Sequence, residues 1–75
     1  MDMQTWRDGH TRATDAAESL RAALAALGVP DTAWSGMRPT VTYNGLPYVH
    51  LGMLPADVVE QMAEAVRAAV RTSAR

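Results

Sequence analysis

The dipeptide Asn44-Gly45 constrains the fold of this chain more than any other feature. It lies between residues 40–43 and 48–51, two short segments that are rich in β-branched and aromatic residues. Asn-Gly is a strong signal for a β-hairpin, because a two-residue type I′ turn needs a positive φ at both of its positions. The sequence therefore predicts a hairpin with its turn at these two residues.

A two-residue turn also sets the register of the hairpin. It pairs Tyr43 with Leu46, Val41 with Tyr48, and Pro39 with His50. Side chains alternate along a strand, so these residues share one face, and the other face holds Thr40, Thr42, Pro47, Val49 and Leu51. A four-residue loop over 44–47 is the alternative, and it also keeps both tyrosines on one face. We expect the tyrosine face to pack against helices.

Two amphipathic helical patterns flank the hairpin. The first begins at Thr11 or Thr14 and ends at Leu27, because Gly28 and Pro30 form a complete stop signal. The second begins at Pro55, a favoured first helical residue. The side chains that we expect in the core are Leu20, Leu24, Leu27, Val59, Met62 and Val66.

The predicted fold is a single small α+β domain over residues 11–75, with the order helix, strand, strand, helix (αββα). Both helices should pack on one face of the hairpin, since a lone hairpin is marginal in water. Residues 1–10 are polar and contain Gly9, so we expect a flexible N-terminal segment there. The second hairpin face is too apolar for water, and it defines a candidate interaction surface of Thr40, Thr42, Val49 and Leu51, together with Trp34 from the preceding loop.

The prolines predict how two copies would meet. Pro47 blocks the outer edge of the second strand, whereas Thr40 and Thr42 leave open backbone donors on the first. Two first strands paired antiparallel would form a four-stranded sheet across a homodimer. The alternative is a monomer in which Trp6 folds back over the open edge or the second face. We favour the homodimer, with an unidentified protein partner on the second face.

Composition excludes several classes of protein. The 75 residues contain no cysteine, which excludes disulfides and thiolate zinc sites. A net charge of −1 lacks the basic footprint of nucleic-acid-binding proteins. No apolar run approaches the roughly 20 residues of a membrane span, and no signal peptide is recognisable, so we expect a cytoplasmic protein. All seven basic residues are arginine, which indicates a GC-rich bacterial genome.

The sequence predicts no catalytic, cofactor or metal residues. His10 and His50 are far apart in the sequence, and neither has a second ligand at zinc-type spacing. We interpret Glu60 and Glu64 as a solvated pair near Arg67. The resulting hypothesis is a small non-enzymatic bacterial protein-interaction module. A small transcription-associated or nucleic-acid-binding regulator is the alternative, and a ligand pocket beneath the tyrosines is a third.

Overall fold

The computed structural model describes residues 2–73. Its elements are α1 (Met3–Ala26), a 3-10 helix (Asp31–Trp34), β1 (Arg38–Val41), β2 (Pro47–His50) and α2 (Ala56–Ser73). The two strands form one antiparallel hairpin, so the predicted αββα order is confirmed. The predicted N-terminal segment begins at Met1 and the predicted domain ends at Arg75. Both of these residues lie outside the described ones.

Helix α1 begins at Met3, well before the predicted start at Thr11 or Thr14. The Asp2 carboxylate caps it by accepting a hydrogen bond from the Thr5 N–H at 2.7 Å. This bond lowers the pKa of Asp2, because it stabilises the charged form of the carboxyl group. Most of the segment predicted to be flexible is therefore the first part of α1.

Gly9 lies inside α1 because the hairpin turn passes too close to the helix for a side chain. A Cβ atom at this position would lie 2.6 Å from the carbonyl oxygen of Gly45. Ala13 and Ala17 continue the same side of the helix and are buried. The sequence predicts a flexible segment around Gly9, and the structure shows instead that glycine at this position allows helix and hairpin to meet.

The end of α1 follows the sequence prediction. Gly28 has a φ of 87°, and its N–H donates to the carbonyl of Ala25 at 3.0 Å. The N–H of Val29 donates to the carbonyl of Leu24 at 3.0 Å, and both side chains belong to the core. These two bonds and the apolar contact make up a Schellman ending, which satisfies carbonyls that the helix leaves free.

The hairpin register differs by one residue from the predicted one. The structure pairs Arg38 with His50, Pro39 with Val49, Thr40 with Tyr48, and Val41 with Pro47. The Thr42 carbonyl accepts from the Gly45 N–H, and the Thr42 N–H donates to the Leu46 carbonyl, each at 2.9 Å. The loop thus has three residues, and Gly45 alone takes a positive φ within it. The predicted two-residue turn is wrong, as is the four-residue alternative, because the chain adopts the glycine-bulge form of hairpin loop.

This shift exchanges the two faces of β2. Val49 points with Val41 toward the helices, and both are half-buried. Tyr43 and Tyr48 are exposed, so the prediction that the tyrosines face the helices is wrong. A change of one residue has this effect because successive side chains of a strand point to opposite sides.

The core centres on Leu24. Its buried members are Ala17, Leu24, Val29, Met37 and Val58, and Leu20, Ala33, Trp34, Val49 and Met62 pack against them. The guanidinium of Arg21 joins α1 to the segment before β1 by donating to the Met37 carbonyl at 2.6 Å. Three of the predicted core residues, Leu27, Val59 and Val66, are exposed instead.

Candidate functional site

Helix α2 packs on the core through its first turns. Val58 is only 4% exposed, and Met62 is half-buried against the core. Every side chain from residue 66 to residue 72 is exposed. The helix has 18 residues and is therefore roughly 27 Å long. Its C-terminal half thus lies along solvent rather than along the core.

The dimensions of the chain reflect this arrangement. Its radius of gyration is 14.6 Å, whereas a compact chain of this length has about 11 Å. Its accessible surface is 5584 Å², against about 4,500 Å² for a compact monomer of this mass. The excess is on the order of 1,000 Å², which is comparable to the roughly 800 Å² that each partner buries in a standard interface. The chain therefore carries enough uncovered surface for one protein contact.

The uncovered surface includes an apolar row on α2, made of Val59, Ala63, Val66 and Val70 and here called the α2 stripe. Spacings of four, three and four residues place these side chains on one side of the helix. The three valines are 48%, 63% and 60% exposed, in chain order. A separate row, which includes Val58 and Met62, faces the core. Helix α2 thus has two apolar sides, and its own chain covers one of them.

Charged side chains border the α2 stripe. Glu60, Arg67 and Arg71 each directly follow a valine of the stripe. Glu64 forms ion pairs with Arg67 and Arg71, each with an N···O distance of 3.5 Å, and all three side chains are mostly exposed. Exposed pairs of this kind contribute at most about 1 kcal/mol, so Arg67 can exchange its partner at little cost.

The strand edges are less open than the sequence predicted. The Thr42 N–H bonds within the hairpin, so the N–H groups of Thr40 and Thr42 point inward. The prediction of outward donors at these two threonines is wrong. Pro39 and Pro47 occupy positions whose nitrogens point outward, so each strand carries a proline at its free edge. A proline at the edge opposes the addition of another strand.

The five residues of the predicted interaction surface do not lie on one face. Thr40 and Leu51 are exposed, and Thr42 is half-buried beside the turn. Val49 and Trp34 pack against the core. The Trp34 Nε1 atom is buried and has no hydrogen-bond partner among the described residues. The function of this surface stays a prediction, but its residues are divided between the core and solvent.

The α2 stripe was missed because the sequence pattern merged the two apolar sides of α2 into one. Val59 and Val66 were assigned to the core together with Met62. A signal was present in the adjacent apolar pairs Val58-Val59 and Ala65-Val66. Adjacent residues lie about 100° apart around a helix, so such pairs indicate an apolar arc wider than one contact covers.

The histidines take part in local contacts. His10 stacks on Trp6 with 4.9 Å between the ring centroids. The His50 Nδ1 atom accepts a hydrogen bond from the Gly52 N–H at 3.2 Å. Within residues 2–73, no group of three histidine or acidic side chains could hold a metal ion.

An open groove of about 400 Å³ runs between α1 and β2. Its lining consists of Arg12, Ala13, Ala16, Leu46, Pro47, Tyr48 and Val49. Arg12 and Tyr48 are the polar side chains of this lining. The lining holds no histidine or carboxylate beside them that could act as a general base. The groove therefore offers shape and one cation rather than a catalytic pair.

Comparison with known proteins finds no matching family model, no matching curated protein and no matching solved structure. In the part of the chain that the structure describes, neither helix is long and apolar enough to cross a membrane. The α2 stripe is an apolar row that its own chain leaves uncovered.

Proposed function

We propose that this chain is a non-enzymatic protein-interaction module that works as a homodimer, in which the two copies meet through the α2 stripe. One observation carries the proposal. The exposed valines form a continuous row on a helix whose other apolar side already packs on the core. Such a row is typical of a contact surface between proteins.

The size of the hydrophobic gain supports a contact between two copies. Burying the exposed part of each valine contributes on the order of 1 kcal/mol. In a twofold symmetric contact every such gain occurs twice, because the same patch of both copies is covered. The prolines at both strand edges favour this helical contact over the strand-paired dimer that the sequence suggested. The net charge of −1 favours protein contacts over nucleic acid.

Sedimentation equilibrium across the micromolar range tests the proposal. We expect a mass twice the 8.1 kDa of the single chain. Val66→Glu should raise the dissociation constant at least about 100-fold, because it places an unpaired carboxylate in an apolar contact.

Gln61→Glu is the matched control. It adds the same charge to α2 at an exposed position that lies two residues from Val59 and Ala63, and so away from the stripe. It should leave the dimer intact. A mass of 8.1 kDa at every concentration would refute the homodimer. A dimer that tolerates Val66→Glu as well as Gln61→Glu would show that the α2 stripe is not the interface.

A further inference from the structure

We infer that the two copies pair their α2 helices antiparallel, with the twofold axis crossing between Ala63 and Val66. This inference rests on the proposed homodimer. The α2 stripe is symmetric about that point, since its spacings are the same in both directions. Antiparallel pairing therefore sets Val59 against Val70 of the second copy and Ala63 against Val66 of the second copy. The small Ala63 side chain lets the two helices approach closely at the axis.

The charges beside the stripe select this orientation. Glu60, Arg67 and Arg71 each follow a stripe valine, so all three lie along the same border of the stripe. Antiparallel helices bring like borders together, so Glu60 of each copy lies beside Arg67 of the other. Two opposite-charge pairs form across the contact.

Parallel pairing would make a poorer contact. Parallel helices bring one border of the stripe against the opposite border. The opposite border carries Met62 and Ala69, each of which directly precedes a residue of the stripe. Glu60 and Arg67 would then face uncharged side chains. The aligned helix dipoles would also repel, whereas antiparallel dipoles attract.

The attachment of α2 to the core points the same way. Val58 fixes the start of the helix to its own chain. Antiparallel pairing places the two cores at opposite ends of the helix pair. The exposed C-terminal half of each α2 then covers the first part of the α2 stripe of the other copy, which lies beside that copy's core. Parallel pairing would crowd both cores at one end.

The ion pairs within α2 are compatible with this exchange. Glu64 holds both Arg67 and Arg71 at 3.5 Å, so Arg71 still neutralises Glu64 when Arg67 turns to the second copy. Glu60 takes part in none of the ion pairs found among residues 2–73. Each copy thus supplies one uncommitted carboxylate and one transferable guanidinium.

Disulfide trapping tests the orientation, because the chain has no cysteine of its own. The two variants are Val59→Cys and Val70→Cys. About 16 Å of helix axis separates positions 59 and 70, far beyond the roughly 7 Å between Cα atoms that a disulfide spans. We expect an oxidised mixture of the two variants to form a covalent heterodimer, while each variant alone stays uncrosslinked.

Other trapping results would overturn the inference. Efficient crosslinking of each variant alone would establish parallel helices. A dimeric mass without crosslinking in the mixture would place the contact away from α2, whereas a monomeric mass of the unmodified chain would refute the proposed homodimer itself. These outcomes separate the orientation of α2 from the existence of the dimer.

Charge reversal provides a second readout that needs no cysteine. In an antiparallel contact, Glu60→Arg places an arginine of each copy beside Arg67 of the other, so two like-charged pairs replace two opposite-charged ones. The dissociation constant should rise about 10-fold. The double variant Glu60→Arg/Arg67→Glu restores both pairs and should recover the original value. An unchanged constant for Glu60→Arg would refute the antiparallel contact.

Discussion

Gly9→Ala tests whether α1 and the hairpin turn meet as closely as the structure shows. In an exposed helix interior, replacement of glycine by alanine stabilises a protein by about 1 kcal/mol. At Gly9 the new Cβ would lie 2.6 Å from the Gly45 carbonyl oxygen and 3.4 Å from a methyl carbon of Val41. The first distance is too short for any real contact, so helix or turn must shift.

The expected cost follows from these distances. The obstructing atom is a backbone oxygen in a loop whose hydrogen bonds fix the register, so it cannot rotate away as a side chain would. Overpacking of this kind costs roughly 1–3 kcal/mol. After the gain in helix propensity, we expect a net loss of up to about 2 kcal/mol. That loss is a large fraction of the roughly 4–11 kcal/mol expected for a domain of this length.

Urea unfolding followed by circular dichroism measures the effect. The protein concentration must be held constant, because dimerisation adds to the apparent stability. Ala22→Gly is the control, because Ala22 is exposed within α1. This variant should lower the free energy of unfolding by about 1 kcal/mol through helix propensity alone. If Gly9→Ala instead raises the free energy of unfolding by as much as Ala22→Gly lowers it, the close approach of Gly45 to α1 is refuted.

Three further predictions concern the core, the turn and the helix cap. Leu24→Ala should cost roughly 2–5 kcal/mol in urea unfolding because Leu24 is 1% exposed, and a loss below about 0.5 kcal/mol would contradict its central place. Gly45→Ala should cost about 1–2 kcal/mol and Asn44→Ala much less, because Gly45 has a positive φ and Asn44 does not; equal losses would indicate a type I′ turn. The lowered pKa of Asp2 means that its charged cap stabilises the start of α1 above the ordinary carboxyl pKa of about 4 and is lost as the pH falls through the lowered value. An NMR titration of the Thr5 amide should follow this loss, and the signal should not titrate in Asp2→Asn, which keeps a capping oxygen.

The position of the candidate site was only partly predictable. The sequence identified α2 as an amphipathic helix beginning near Pro55, and the structure begins it at Ala56. It placed Val58 only beside the buried row, whereas the structure buries Val58 within the core. Which apolar side faces the core depends on how α2 is rotated about its own axis. Packing of Val58 and Met62 on the core sets that rotation, and no local pattern encodes it.

The sequence alone could establish the features that depend on residues close together along the chain. The ending of α1 at Gly28 depends on a left-handed residue and on hydrogen bonds within one turn, so the local sequence suffices. The order of the elements follows in the same way from periodicity and turn residues. These features require no knowledge of what the rest of the chain does.

Only the tertiary structure decided the hairpin register, the role of Gly9 and the side of α2 that stays open. The predicted two-residue loop over 44–45 and the observed three-residue loop over 43–45 both need glycine at position 45. These two loops differ by one residue in the register of the strands. The adopted register turns Val49 toward the helices, where it packs against the core, and leaves Tyr48 exposed. Hydrophobic burial selects between locally similar turns through contacts between distant segments, and the pattern of neighbouring residues does not contain those contacts.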